Sequence, residues 1–394
     1  MAEKLAASST KEETNDVDRP WSDLPYELLC LVSSHLLAGD FVTFRAICKS
    51  WRSSPSLIQR KVPLSIDSPH FLYPCLMSVD YHKCRFYHPT YLGDDLADIS
   101  ELLGARICFS KYGWLLLTRN DRSIFFFNPF TKVKVELPPI CSRHKVLSMC
   151  FSSPPISSDC FVLVICMEDE FGIIKRGEKN WTFRDISVGR RFGASTCNPI
   201  LYRGMCYCLE NIEANVGVFD PNGDDPCHMT IYTLQSPLSS WVLEFSVHQN
   251  YLVESDDGKL FAVFVVDDHD TSIYVFEVNF SNLSERKGLK PRTMVWHRVT
   301  SLGNRMMYLS PGGSFLEPAI ATGTSNKIYL PMIRDNKNVF YSFDTAMYHS
   351  FTGGYSSKNS YNVQELQTCC WIKSMPELTF NRNFEWCEIE LEGQ

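Results

Sequence analysis

The sequence predicts a mainly β protein, in which a small N-terminal α-helical unit precedes a β-propeller of six or seven blades. Three observations predict it. Residues 19–64 carry apolar side chains at three- and four-residue steps, from about residue 70 the step becomes two, and one strand–turn–strand unit recurs through the second region. These divide the 394 residues into a polar tail (1–18), a helical unit (19–64) and a β domain (65–394).

The tail, MAEKLAASSTKEETNDVD, is polar, acidic and free of aromatics. Such a composition buries too little apolar surface to offset chain entropy, so the tail reads as disordered. The helical unit opens with Ser22 or Asp23 as a cap and Pro25 in the first turn, where its missing N–H costs nothing. Leu24, Leu28, Leu31, Val32 and Leu36 repeat at helical steps until Gly39 stops the helix. Asp40 caps a second helix with Phe44, Ile47, Cys48 and Trp51 at i, i+3, i+4 and i+7. Arg45, Lys49 and Arg52 flank that stripe; Ser53, Ser54 and Pro55 interrupt it, and a short third helix is expected at 56–61. So short a segment cannot hide this much apolar surface by itself. Side chains left facing outward point to a docking surface. A helical cap packed on the following domain is the plainer alternative.

The recurring unit is a Gly or polar turn, an apolar strand, a short turn and a second strand. YGWLLLTRNDRSIFFFNPFTKVKVELPP (112–139) is the cleanest copy, and YRGMCYCLENIEANVGVFDPNG (202–223) repeats it with Gly204 for Gly113. Looser copies occupy 256–280 and 325–351, and edge-like strands follow at NWTFRDI (180–186) and VWHRVTSLG (295–303). At about 50 residues per blade, residues 65–394 hold six or seven blades. GGYSSKNSYNVQELQTCC (353–370) reads as a loop, and FEWCEIEL (384–391) alternates and is expected to close the ring by pairing with the blade near residue 70. A β-sandwich would need fewer strands than this chain offers.

Charge and composition exclude several functions. Net charge is −7 and no run of Lys and Arg exceeds two residues, so the basic footprint of a nucleic-acid binder is missing. The longest apolar run, CFVLVICM (160–167), is far short of a membrane span, so no membrane partner is expected. The first eighteen residues lack the apolar core of a signal peptide, which points to the nucleus or cytoplasm. In such a reducing compartment the 16 cysteines read as buried small hydrophobes rather than disulfides.

Candidate chemistry is sparse. DDHD (267–270) offers carboxylates and an imidazole, but between two apolar strands a polar hairpin turn accounts for it. Cys206 and Cys208 share one strand face without the further ligands a metal needs, and Cys369 and Cys370 face opposite ways. GRRFGAST (189–196) lacks the strand–loop–helix setting that cradles phosphate, and Arg190 and Arg191 read as a solvated loop pair. No nucleophile-elbow, zincin, P-loop or dinucleotide pattern occurs. Catalytic residue, metal and cofactor are accordingly each assigned as none.

The segment LPYELLCLVSSHLLAGDFVTFRAICKSWRS (24–53) resembles an F-box, through its Leu-Pro opening and its Cys-Lys-x-Trp-Arg ending at this separation. The β domain is similar to the β-propeller of plant F-box proteins, kelch-like in style. GWLLLTRNDRSIFFFNPFTKVKVELPP, NPILYRGMCYCLE, YLVESDDGKLFAVF and VWHRVTSLGNRMMYLS carry that likeness. Gly312-Gly313 and Gly353-Gly354 do not come after a strand as the Gly pairs of strict kelch repeats do. The resemblance implies a non-catalytic substrate receptor of a Skp–cullin–F-box ubiquitin ligase. In that role Leu24, Pro25, Leu28, Val32, Leu36, Ile47, Cys48 and Trp51 would meet the Skp-type adaptor, with Trp51 equally able to hold the helices together. Cullin and RING subunits would join through the adaptor, and the propeller would select a protein substrate that the sequence does not name. A cullin-independent propeller scaffold is the alternative, and an enzyme working at the central channel is a third reading.

Overall fold

The computed structural model describes residues 21–34, 44, 47–52 and most of 74–373, with internal breaks such as 211–214, 234–245 and 282–292, together with Trp386. The tail, Leu36 and the expected third helix lie outside the described residues. So do Arg190, Arg191 and most of the DDHD turn.

A 3₁₀ turn (Trp21–Asp23) leads into helix α1 (Tyr26–Ser34), and α2 (Lys49–Arg52) ends the helical unit. Strands then succeed one another in antiparallel groups. β1 (Cys75–Val79), β2 (Cys84–Tyr87) and β3 (Asp94–Ala97) begin blade 1. β4 (Ala105–Lys111), β5 (Trp114–Arg119), β6 (Ser123–Asn128) and β7 (Val133–Leu137) form blade 2. Blade 3 is β8 (Val146–Phe151), β9 (Phe161–Cys166), β10 (Glu170–Lys175) and β11 (Thr182–Asp185). Blade 4 is β12 (Ile200–Tyr202), β13 (Met205–Leu209), β14 (Val216–Phe219) and β15 (Thr230–Tyr232). Blade 5 is β16 (Ser246–Ser255), β17 (Leu260–Asp267), β18 (Ser272–Ser281) and β19 (Thr293–Val299).

Blade 6 is less regular. It holds β20 (Arg305–Tyr308), β21 (Phe315–Pro318), β22 (Lys327–Arg334), β23 (Lys337–Ser342), β24 (Met347–Ser350), β25 (Ser356–Ser357) and β26 (Gln364–Glu365). β21 pairs in parallel with the end of β16, so blades 5 and 6 share one continuous sheet. Among the described residues the strands therefore group into six blades.

The recurring unit starts at the second strand of a blade, because its turn joins the innermost strand to the next. Tyr112 and Gly113 both have positive φ (54° and 76°), as do Arg203 and Gly204 (51° and 83°). Two such residues in succession are what a tight type I′ hairpin demands, which is why the glycine recurs at this point.

The middle strands β5, β6, β9, β13, β14 and β17 are buried on both faces. On β17, Leu260, Ala262, Phe264 and Val266 pack toward blade 4, while Phe261, Val263 and Val265 pack toward blade 6. On β6, Phe126 faces blade 3 and Phe125 and Phe127 face blade 1. Radial stacking of blades thus turns an antiparallel strand into a continuous apolar run.

The ring closes where β27 (Cys369–Ile372) pairs antiparallel with β1, in register Cys75↔Ile372 through Ser78↔Cys369. This corrects the expected closure by 384–391 and turns the end of the expected loop 353–370 into a strand. The polar stretch hid a four-residue core strand, CCWI, whose apolar run is too short to stand out by periodicity. Of 384–391 the structure describes Trp386, which packs where blades 2 and 3 meet. Its ring stacks 5.7 Å from Phe126 and its carbonyl accepts from the Gly177 N–H at 3.2 Å.

The cysteines bear out their reading as small hydrophobes: among the described residues no disulfide links them, and most are buried. Cys369 and Cys370 face different core clusters, and the Cys206 and Cys208 sulfurs lie 3.7 Å apart on one strand face. Burial pushes the Cys160 thiol up to about 11 and those of Cys197 and Cys370 up to about 12, so all three stay protonated at neutral pH.

One side chain ties several blades together. Asn198 accepts the Met149 N–H at 3.2 Å and donates to the carbonyls of Cys108 (2.8 Å) and Pro311 (2.5 Å), tying blades 2, 3 and 6. The turn at 310–314 reaches across to β4, where Ser110 N–H donates to the Gly312 carbonyl at 2.5 Å. Gly313 has φ of +149°, and a Cβ there would sit 2.6 Å from the Ser110 carbonyl. This glycine pair serves close backbone approach rather than a kelch repeat.

Two outcomes test this architecture. Trp371→Ala should remove about 3–5 kcal/mol of unfolding free energy, read as a lower urea midpoint, and truncation after residue 360 should abolish the cooperative transition by removing β27. Gly313→Ala should lower the midpoint further than Gly354→Ala, because Gly313 is pressed against another blade whereas a Cβ at Gly354 would meet open space.

Candidate functional site

The helical unit turns a few side chains inward and leaves many outside. Pro25 starts α1, and its carbonyl accepts the N–H groups of Leu28 (3.0 Å) and Leu29 (3.1 Å). Leu29 and Phe44 are the buried pair, at 2% and 4% exposure, with Leu24 and Trp51 packed partly over them. The Phe44 and Trp51 rings lie 4.5 Å apart. Trp51 Nε1 donates to the Trp21 carbonyl and Ser50 Oγ to the Ser22 carbonyl, each at 2.8 Å, so α2 is fastened to the opening turn.

Outside this small core lies an apolar surface. Leu28, Leu31 and Val32 are 46%, 56% and 44% exposed and lie at i, i+3 and i+4, one side of α1. Ile47 is 59% exposed, and Trp21 and Tyr26 are more than half exposed. None of the propeller's core clusters contains a described residue of the helical unit. The alternative of a cap packed into the β domain therefore finds no support among the described residues. Leucine, valine and isoleucine held in water at this density cost free energy that a partner surface would recover, at roughly 25 cal/mol per Å² covered.

The sequence-predicted residues separate into two groups. Pro25, Leu28, Val32 and Ile47 are exposed. Leu24, Cys48 and Trp51 are half-buried, the first and last of them inside the unit's own core, and Leu36 lies outside the described residues. The Ser50 hydroxyl and the Trp51 N–H draw the Cys48 thiol below its ordinary value. Leu31, Tyr26 and Trp21 extend the exposed surface beyond the predicted set. Leu31 was visible in the helical stripe, but a stripe does not say which of its edges is covered.

Among the described residues no group of three or more His, Cys, Asp or Glu side chains could hold a metal ion. His144 and Glu170, 2.6 Å apart, are packed under a stacked Phe183 ring 3.5 Å away. Asp257 is held down to about 2 by its hydrogen bonds from Arg305 and Ser255, in a tie between blades 5 and 6.

Comparison with known proteins agrees with both halves. The F-box domain model matches residues 21–57, and the KIB1-4 beta-propeller model matches residues 77–355. Among curated relatives, the Arabidopsis thaliana F-box/kelch-repeat protein At1g57790 is 26% identical over 339 residues, spanning 84% of this chain and 88% of its own length. The Arabidopsis F-box protein At4g00893 is 26% identical over 283 residues, covering 67% and 68%, and the F-box protein At3g56470 is 29% identical over 206 residues, covering 51% and 54%. With a helical unit that leaves Leu28, Leu31 and Val32 outside and six blades behind it, the chain belongs to the KIB1-4 β-propeller family and is a plant F-box protein.

Proposed function

We propose that this chain is the substrate-recognition subunit of a Skp–cullin–F-box ubiquitin ligase, acting in the nucleus or cytoplasm. The Skp-type adaptor covers the exposed side of α1, with Leu28, Val32 and Ile47 as central contacts and Pro25, Leu36 and Cys48 around them. Leu24 and Trp51 serve chiefly to hold the helices in place. Cullin and RING subunits join through the adaptor, and the propeller holds a target protein. The observation that carries this reading is the row Leu28, Leu31 and Val32, uncovered along one side of a helix whose Leu29 is buried.

No nucleophile or general acid is required of such a subunit. Holding a target near a ubiquitin thioester raises the effective concentration of its lysines, and the gain comes from proximity. The scarcity of reactive constellations among the described residues fits that division of labour.

Co-expression with a plant Skp-type adaptor should give a one-to-one complex. Leu28→Ser combined with Ile47→Ser should weaken it by at least about a hundredfold, since two buried apolar anchors are lost, while leaving the thermal midpoint of the free chain unchanged. Phe44→Ala should behave differently, losing helical circular dichroism because it empties the unit's core. Undiminished adaptor binding by the Leu28→Ser/Ile47→Ser variant would overturn the assignment.

A further inference from the structure

Beside Asn198 the ring keeps a cavity of about 350 Å³. That is within the size range of small-molecule sites. Its walls come from every blade and fall into two chemical kinds. Of its aromatic residues Tyr112 and Phe315 are half-exposed, and Phe151, Tyr251 and Trp371 are buried behind them. Four charged side chains complete it: Lys111, Glu254, Glu317 and Lys373.

The charges are arranged as two pairs. Lys111 of blade 2 meets Glu254 of blade 5 at 3.0 Å, and in a six-membered ring those blades stand opposite one another, so this pair spans the channel. Lys373, just past β27, meets Glu317 of blade 6 at 2.7 Å. Burial by itself would lower the Lys111 ammonium, but Glu254 and Tyr112 outweigh it and its pKa lies above the ordinary value. Asn250 also lines the cavity, its Oδ1 accepting from Ser195 Oγ at 2.5 Å.

Balanced pairs select for ligand charge. An anion drawn to Lys111 would strip Glu254 of its partner inside a partly desolvated wall, and a cation drawn to Glu254 would strand Lys111; either leaves an uncompensated charge. A molecule carrying both signs can insert between the two and leave each with a partner. Its apolar remainder would then lie against the half-exposed rings. The geometry points to a small zwitterion of the α-amino-acid type as the ligand of this cavity, its carboxylate on Lys111, its ammonium on Glu254 and an apolar side chain against Tyr112 and Phe315. This site is separate from the helical unit and does not depend on adaptor binding.

The test uses the full chain with L-tryptophan, L-phenylalanine and L-leucine, each beside its N-acetyl derivative, which is an anion, and its amide, which is a cation. Titration calorimetry should find saturable binding of at least one free amino acid, at least about tenfold tighter than either of its derivatives. Thermal unfolding should shift upward by about 3–6 °C at a hundredfold excess over Kd. Lys111→Met and Glu254→Gln should each abolish the shift. The charge-exchanged double variant Lys111→Glu/Glu254→Lys should keep the midpoint of the free chain and recover binding, separating loss of the site from loss of the fold. The proposal is overturned if no free amino acid binds, if the single-charge derivatives bind as tightly, or if the two single variants bind like the parent.

Discussion

The structure depends on one strand pairing: β27, from the end of the chain, against β1, from the start of the β domain. A propeller left open would expose an unpaired strand edge on blade 1 and an uncovered apolar face on blade 6. The closure is reinforced beyond the strand ladder. Trp371 Nε1 donates to the Leu309 carbonyl at 2.9 Å, its backbone N–H donates to Ser310 Oγ at 3.1 Å, and its carbonyl accepts from Ser110 Oγ at 3.2 Å. Its ring lies 5.0 Å from that of Tyr308, in a cluster shared by blades 6 and 1. One tryptophan thus joins blades 1, 2 and 6 at the point where the ring is completed.

The two halves of the molecule spend their apolar residues in opposite ways. In the propeller, the middle strands find a neighbour for both faces, so phenylalanines at 125, 126 and 127 are all buried. The helical unit has no such neighbours among the described residues, and its core is little more than Leu29 and Phe44 with Leu24 and Trp51 over them. Leu28 and Leu31 stay in water. This contrast separates a domain complete in itself from one whose surface is suited to another subunit.

Because blades meet around an axis, groups far apart in sequence become neighbours at the channel. Asn198, a loop residue between blades 3 and 4, fixes backbone from blades 2, 3 and 6, and Lys111 reaches Glu254 across the ring. The same geometry sets the glycine requirement at 313, where two backbones from different blades pass at a distance no side chain fits.

Local chemistry made much of this legible in the sequence. The switch from a 3.6-residue to a two-residue period separated helical unit from β domain, the Gly113 and Gly204 turns announced the blades because type I′ hairpins need positive φ, and the Cys206/Cys208 pairing on one face came from strand alternation. Contacts over long sequence separations were not legible. That CCWI rather than FEWCEIEL closes the ring, that Leu24 and Trp51 turn inward while Leu28 and Leu31 stay out, and that Lys111 finds Glu254 are decided by which surfaces meet when the blades pack. Periodicity reports which side of an element is apolar; only the assembled ring determines what lies against it.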